Sequence, residues 1–277
     1  MNHFITDDGE HLNITISGDG PALVMLHGWT SSRASWRPLM AQLTRQHRVF
    51  CPDARGHGGH APTATRTPDV RRLAADLQNL LDHYGIDRAA AVGHSMGALT
   101  LWQFIRNHGC QRLSHLCIID QSPRLVTDDE WRLGIYGNFD AVRSQRLIEE
   151  LEQDFAEGVL RLTAHGLNAR ARAGYARNSK GWQQARHALQ RLDPPTLIAI
   201  WKSLVAADFR DVLPAITVPT WLAWGAQSNF YPLATARFLL ASTPRATMTC
   251  YEGADHSPHL LHPERFAADL LAFTVRS

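Results

Sequence analysis

The chain has 277 residues, 44% of them hydrophobic, and its 28 basic and 26 acidic residues leave a formal net charge of +2. This charge is too small to indicate a nucleic-acid-binding protein, and no segment approaches the roughly 18 consecutive apolar residues that a membrane span requires. Residues 1–9 lack the basic start and apolar stretch of a signal peptide, so we expect a cytoplasmic protein.

Strand and helix patterns alternate from one end of the chain to the other, which is typical of an α/β protein. His11 to Ser17 predicts an edge strand, and the apolar run Ala22 to Leu26 predicts a buried strand that ends at His27-Gly28-Trp29. Arg48 to Cys51 predicts a further strand. The next helix is expected to follow Thr67-Pro68-Asp69, with Thr67 as its cap.

The segment Gly93-His94-Ser95-Met96-Gly97 places a serine between two glycines. It follows the predicted strand Arg88 to Val92 and precedes apolar residues at helical spacing. Strand, sharp turn and helix form the context of a nucleophile elbow, in which the glycines relieve crowding around a strained central residue. We therefore expect Ser95 to present its hydroxyl above the sheet as a nucleophile.

Two backbone amides are expected to form an oxyanion hole beside this serine. In acyl transfer the substrate carbonyl oxygen becomes an oxyanion, and the loss of one amide directed at it typically costs about 3 kcal/mol. The amides of Trp29 and Met96 stand where such donors are needed. The alternative for His27-Gly28-Trp29 is a simple turn that ends a strand and carries an aromatic anchor.

A carboxylate follows the next predicted strand, Leu113 to Ile119, at Asp120. It could serve the site, or it could only start the turn Asp120-Gln121-Ser122-Pro123, since Asp before Ser-Pro is a common turn residue. From Ser122 to about Asp208 strand signals stop and helical patterns take over. We therefore expect a core of residues 1–121 and 209–277, interrupted by a helical cap of residues 122–208.

The general base is expected near the end of the chain. Gly253-Ala254-Asp255-His256 follows the predicted strand Ala246 to Tyr251, so His256 lies on a loop at the end of a strand. An imidazole is needed to take the proton of the serine and to return it to the leaving group. The chain has 15 histidines. Of the two nearby competitors, His259 and His262, each falls at the approach to a helix, which favours His256.

The elbow, the His256 loop and the segment Gly225 to Pro232 after the predicted strand Thr220 to Trp224 resemble the α/β-hydrolase fold family over nearly the whole chain. The resemblance implies a mostly parallel central sheet with helices on both faces and an inserted helical cap. It also implies an acid in the loop Gly-x-x-Asp after Trp224, but this chain has Ser228 at that position.

Some members of the family carry the acid on the strand after the elbow helix, which makes Asp120 the expected partner of His256. This relocation keeps the chain order of nucleophile, acid and base. Asp255 adjoins His256 and is expected to point away from it, while Asp208 and Asp211 are expected only to tether the chain returning from the insertion. Because a serine is uncharged, we expect the loss of Asp120, and not that of Ser228, to slow the reaction of Ser95.

The predicted activity is cleavage of a carboxylic ester or thioester through an acyl-enzyme on Ser95, with acyl transfer as the nearest variant. Two alternatives stay open. Family members with the acid on the earlier strand include cofactor-free dioxygenases that cleave N-heteroaromatic rings, and Ser228 at the usual acid position would suit a non-catalytic ligand-binding relative.

The expected partner is a small-molecule acyl substrate. The basic residues of the predicted cap could attract an anionic group of a carrier, although such charges more often form a solvated helix face. These residues are Arg170, Arg172, Arg177, Lys180, Arg186 and Arg191. No cofactor or metal is expected, because the four cysteines are scattered without a Cys-x-x-Cys pair and no glycine-rich phosphate loop with its lysine is present. The sequence fixes neither the acyl length nor the oligomeric state.

Overall fold

The computed structural model describes residues 2–59 and 68–275. Within these ranges eight strands form one sheet in the order β1-β2-β4-β3-β5-β6-β7-β8. The strands are β1 (Asn2–Ile5), β2 (His11–Ser17), β3 (Ala22–Leu26), β4 (Arg48–Pro52), β5 (Ala89–His94), β6 (Leu113–Ile119), β7 (Thr220–Gly225) and β8 (Ala246–Tyr251). The pairs β1–β2 and β2–β4 are antiparallel, and the other five pairs are parallel.

Helices cover both faces of this sheet. Outside the span between β6 and β7 they are α1 (Arg37–Leu43), α2 (Val70–His83), α3 (Met96–His108), α9 (Leu233–Ser242), α10 (Pro258–Leu261) and α11 (Pro263–Thr274). Central strands are buried on both sides, so they consist of small and apolar residues without alternation. In β5, Ala89 and Ala91 join one apolar cluster, while Ala90 and Val92 join the cluster on the opposite face. The predicted mostly parallel sheet with helices on both faces is confirmed.

Five helices lie between β6 and β7: α4 (Ala141–Gln153), α5 (Phe155–Ala164), α6 (Ala169–Ala176), α7 (Lys180–Leu189) and α8 (Pro194–Ala206). The chain leaves and re-enters the core at an isolated antiparallel bridge between Arg124 and Asp208. Phe155, Trp201 and Leu204 of this insertion belong to the same apolar cluster as the core helix α3. Because the apolar packing is continuous between the core and the insertion, the division of the chain into a core and a cap at residues 122 and 208 stays a prediction.

Helix α8 is attached to the core by polar contacts as well as by packing. The indole Nε1–H of Trp29 donates to the carbonyl oxygen of Leu197 at 2.9 Å, and the ring of Trp29 lies 4.7 Å from that of Trp201. The Ser203 hydroxyl accepts a hydrogen bond from the amide of Val70 at 3.0 Å. The loop after β3 and the start of α2 are therefore both joined to α8.

The start of α2 differs from the prediction. The helix begins at Val70, and its N-cap is Asp69, whose carboxylate accepts a hydrogen bond from the amide of Arg72 at 2.8 Å. A capping side chain must lie next to the first free amides of the helix, and Asp69 meets that condition. Thr67, the expected cap, lies outside the described residues. Within the described ranges, none of the helices combines the length and the apolar character needed to cross a membrane.

Candidate active site

Ser95 lies at the sharp turn between β5 and α3. Its backbone has φ +53° and ψ −116°, a conformation that L-residues rarely adopt. The turn leaves no room for neighbouring side chains: a Cβ on Gly93 would stand 2.6 Å from the amide nitrogen of Ala98, and a Cβ on Gly97 would stand 2.2 Å from the carbonyl oxygen of Leu26. Both glycines are therefore needed for the chain to turn at this point.

The elbow opens into a cavity of about 270 Å³ between the sheet and the insertion. Ser95, Met96, Trp29 and His256 all line it. Its apolar wall includes Leu125, Ile135, Val159, Leu162, Trp201 and Leu204. Among the residues that the structure describes, no hydrogen bond joins the Ser95 hydroxyl to the His256 ring. Such contacts are often long in the absence of substrate and tighten in the substrate complex.

The two amides expected to bind an oxyanion border this cavity. The amide of Met96 is the first of α3, so it has no intrahelical acceptor and lies at the positive end of the helix dipole. The loop that carries Trp29 approaches the elbow closely, since a Cβ on Gly28 would stand 3.3 Å from Cβ of Ser95. Across residues 2–59 and 68–275, neither amide donates to a protein acceptor. Both N–H groups are thus free to bind a ligand oxygen.

Asp120 follows β6 and is completely buried. Its Oδ1 accepts from Nδ1 of His256 at 3.0 Å and from the hydroxyl of Ser228 at 2.7 Å, and its Oδ2 accepts from the amide of Gly225 at 2.9 Å. The carboxylate therefore binds the loop after β7 and the His256 loop together. Because a carboxylate can only accept, Nδ1 of His256 carries the proton and Nε2 is the basic nitrogen.

The competing histidines stand in different surroundings. His259 is completely buried, its ring centroid lies 4.8 Å from that of Trp36, and desolvation lowers its pKa to about 3. His262 bonds through Nε2 to the carbonyl oxygen of Glu252 at 3.1 Å. Of the three histidines, His256 is the one whose ring nitrogen meets a carboxylate.

The competing aspartates are bound elsewhere. Asp255 is exposed, and its Oδ1 accepts from the amide of Ser257 at 2.9 Å. Asp208 pairs with Arg210 at 2.7 Å, and Asp211 forms an ion pair with the guanidinium of Arg106. In the described part of the chain none of these three carboxylates contacts a histidine of the cavity. Of the four aspartates compared, Asp120 is therefore the one that contacts His256.

Two residues of the site were not predicted from the sequence. His94, inside the elbow, is buried and donates from Nε2 to the carbonyl oxygen of His256 at 3.0 Å, and burial holds its pKa well below the usual range. This bond ties the His256 loop to the elbow. Ser228 was expected to take no part, yet it contacts Asp120. Its place in the loop where the family usually carries the acid was the available signal.

A second, more open cavity of about 720 Å³ adjoins the first. Both are lined by Thr30, Val159, Thr163, Asn229 and Asp255, so these five residues stand between the two cavities. Of the six basic residues that could attract an anion, Arg170 lines this outer cavity. Arg186 instead donates to Glu157 at 3.2 Å, and Arg172 to the carbonyl oxygen of Gly166 at 3.1 Å.

Comparison with known proteins bears on the reaction. A family model described as alpha/beta hydrolase fold matches residues 21–263 of the chain. The pimeloyl-[acyl-carrier protein] methyl ester esterase of Vibrio vulnificus is 28% identical over 259 residues, which are 92% of this chain and 95% of that protein. The protein of the same name from Aliivibrio salmonicida is 29% identical over 260 residues, covering 92% and 93%.

Two solved structures share the architecture. An esterase from Exiguobacterium antarcticum superposes with a TM-score of 0.84 at 21% identity and covers 99% of both chains. A bromoperoxidase from Bacillus anthracis superposes with a TM-score of 0.86 at 19% identity, over 99% of this chain and 100% of that one. At these identities the likeness shows a common fold.

Proposed function

Because this chain belongs to the alpha/beta hydrolase fold family, we propose that it is a serine hydrolase that cleaves carboxylic esters or thioesters through an acyl-enzyme on Ser95. The observation that carries the proposal is the contact of 3.0 Å between Nδ1 of His256 and the buried Asp120, beside the cavity that the serine lines. The relatives from Vibrio and Aliivibrio are named for ester cleavage, which favours this reaction over the oxygenase and receptor alternatives.

In the first half of the reaction, the Ser95 oxygen attacks the substrate carbonyl carbon while Nε2 of His256 takes the hydroxyl proton. Asp120 holds the ring by its Nδ1–H and stabilises the imidazolium that forms. The carbonyl oxygen becomes an oxyanion, which the amides of Met96 and Trp29 bind. Collapse of the tetrahedral intermediate breaks the bond to the leaving group, and the imidazolium gives its proton to the departing alcohol or thiol.

In the second half, a water molecule attacks the acyl-enzyme with His256 again acting as the base. The acid is released, the proton returns to Ser95, and the free enzyme is restored. The insertion α4–α8 functions as the cap of this site: its apolar residues form one wall of the cavity and exclude bulk water from the reacting carbonyl. Cleavage consumes one water molecule per ester.

The substrate is an acyl ester with an apolar portion, held in the inner cavity of about 270 Å³. The acyl group is borne on a carrier, as the names of the relatives state for those proteins. Support comes from the outer cavity, which adjoins the inner one and has Arg170 in its wall. The arginine is exposed and its guanidinium forms no ion pair within the described ranges, so it can bind an anionic group of the carrier.

The nucleophile is tested by intact-mass labelling with a fluorophosphonate, which forms a covalent adduct with an activated serine. The wild type is expected to gain one adduct, and Ser95→Ala is expected to gain none. Ser31→Ala is the matched control, because Ser31 lines the same cavity without a proposed chemical role. Full labelling of folded Ser95→Ala, or absence of labelling in the folded wild type, would contradict the proposal.

The carrier is tested by comparing methyl ester cleavage on two substrates with the same dicarboxylic acyl chain. One bears the chain on an acyl carrier protein and the other on a short uncharged thiol. We expect a higher kcat/KM for the carrier substrate, and a loss of that advantage in Arg170→Ala but not in Arg237→Ala, a change of exposed charge on α9 outside both cavities. Equal values for the two substrates would contradict carrier recognition and leave ester cleavage standing.

A further inference from the structure

Ser228 contacts the carboxylate oxygen that also holds the proposed base. The residue lies in the loop after β7, is 5% exposed, and places its hydroxyl oxygen 2.7 Å from Oδ1 of Asp120. The same Oδ1 accepts from Nδ1 of His256 at 3.0 Å. A change in the position of this oxygen would therefore alter the hydrogen bond that orients the imidazole ring of His256.

The direction of the Ser228 hydroxyl proton is fixed by its surroundings. A hydroxyl group has one proton to donate and two lone pairs to accept with. The amides of Phe230 and Tyr231 both donate to this oxygen, each at 3.2 Å. With both lone pairs occupied, the single proton is left for the carboxylate of Asp120. Ser228 is thus a donor of fixed direction.

The other carboxylate oxygen is fixed from the same loop. Oδ2 of Asp120 accepts from the amide of Gly225 at 2.9 Å. Two donors from the end of β7 therefore hold the two oxygens, and the plane of the carboxylate is set before the histidine is considered. Hydrogen bonds to a charged acceptor are among the stronger ones in proteins, and here they lie in a fully buried position where water cannot replace them.

We propose that Ser228 is a positioning residue that acts through Asp120: its hydroxyl holds the carboxylate in the orientation that orders His256 for proton transfer. The inference rests on the proposed function. It also gives a physical meaning to the serine in the loop where the family usually carries the acid. In this chain Asp120, after β6, supplies the carboxylate, and Ser228, after the neighbouring strand β7, supplies a hydrogen-bond donor that holds it.

This arrangement predicts that the two residues can be exchanged. An aspartate side chain extends one atom beyond a serine side chain, and the Ser228 oxygen lies 2.7 Å from the oxygen that contacts the histidine. Asp120→Ser combined with Ser228→Asp keeps the charge and nearly the same volume in the buried space. The carboxylate is then supplied from the β7 side, within reach of His256, and the serine from the β6 side.

The test compares the wild type with Ser228→Ala, Ser228→Thr, Asp120→Ser and the exchange variant. Each is measured for kcat and KM on a chromogenic ester and by the low-field proton NMR signal of the His256 Nδ1–H. We expect Ser228→Ala to lower kcat by about tenfold at unchanged KM, as for one hydrogen bond to a charged group, and to shift or broaden the signal. Ser228→Thr keeps the hydroxyl and should restore both properties.

The exchange variant keeps the proposal testable even where a single variant folds poorly. We expect it to turn over at least about tenfold faster than Asp120→Ser. Ser228→Ala with kcat and NMR signal like the wild type would overturn the proposal, as would an exchange variant no faster than Asp120→Ser. Absence of fluorophosphonate labelling in the folded wild type would instead refute the proposed function. Failure of the Ser228 proposal and failure of the proposed function are therefore distinguishable.

Discussion

Replacing Asp120 by asparagine changes the shape of the side chain little but removes an acceptor that the structure uses. Three donors meet the carboxylate: the hydroxyl of Ser228 and Nδ1–H of His256 at Oδ1, and the amide of Gly225 at Oδ2. An asparagine offers one oxygen and one NH₂ group. With its oxygen at the Oδ1 position, the NH₂ faces the Gly225 amide. In the opposite orientation it faces Ser228 and His256.

Either orientation leaves at least one buried donor without an acceptor, which costs about 1–3 kcal/mol in the free energy of unfolding. A domain with a stability of about 5–15 kcal/mol remains folded after that loss, so its activity can be measured. The imidazolium also loses its negative partner, or the ring adopts the wrong tautomer. The corresponding change in a serine protease triad lowers kcat by about 10⁴-fold, and we expect a loss of roughly 10³ to 10⁴ for Asp120→Asn.

The assay follows the rate of fluorophosphonate labelling by intact mass, at a temperature where circular dichroism shows both proteins folded, with urea unfolding for the stability. Asp255→Asn is the matched control, because this exposed carboxylate adjoins His256 in sequence and contacts the amide of Ser257 instead. The control is expected to label within about twofold of the wild type. Labelling of Asp120→Asn within tenfold of the wild type, or equal slowing of both variants, would refute the reasoning.

Three further outcomes are expected. Gly97→Ala places a methyl group 2.2 Å from the Leu26 carbonyl oxygen and should lower the free energy of unfolding, measured in urea, by about 1–3 kcal/mol. Gly181→Ala is the control, because its new methyl group meets nothing within 4 Å, and it should raise the free energy of unfolding by roughly 0.5–1 kcal/mol. Equal effects of the two substitutions would contradict the tight fit at Gly97. Desolvation lowers the pKa of His259 from 6.5 to about 3, so the stability its neutral ring contributes is present above pH 6.5 and is lost as the pH falls toward 3. His259→Phe should therefore lose less stability than the wild type between pH 7 and pH 5, by roughly 1 kcal/mol per pH unit below 6.5, and parallel losses in urea titrations would contradict this. Trp29→Phe removes the indole N–H that bonds to α8 and should slow fluorophosphonate labelling by roughly threefold to tenfold; an unchanged rate would show that the amide does not depend on that bond.

The strands and the elbow could be predicted because short stretches of sequence determine them. The strands expected at His11–Ser17, Ala22–Leu26 and Leu113–Ile119 have those bounds in the structure. Ala22–Leu26 and Leu113–Ile119 are marked by apolar runs, and His11–Ser17 by alternating polar and apolar residues. The elbow is recognisable from five consecutive residues, and the crowding that Gly93 relieves arises within the turn itself, whereas the crowding at Gly97 comes from Leu26 of the neighbouring strand β3.

The partners within the site could not be predicted in the same way. Ser228 and Asp120 are 108 positions apart, and their contact depends on β6 lying beside β7 in one particular register. Local composition does not specify which side chains meet across two loops. The hydrogen bond from His94 to the carbonyl oxygen of His256 joins residues 162 positions apart. Its acceptor is a backbone group that every residue has, so the residue type at this position does not indicate the bond. Chemistry-bearing residues were therefore visible in the sequence, but not the network that orients them.

Trp29 connects the inner cavity with helix α8. Its amide borders the inner cavity proposed as the active site, while its indole is bonded to the carbonyl oxygen of Leu197 in α8. We therefore expect α8 to stay docked during turnover, and substrate to enter beside α6 and α7, which bury only Gly174 and Leu189. In evolutionary terms, changes in α6 and α7 would retune the outer cavity and the proposed carrier contact at Arg170, whereas a change in α8 would also disturb the Trp29 amide that is proposed to bind the oxyanion.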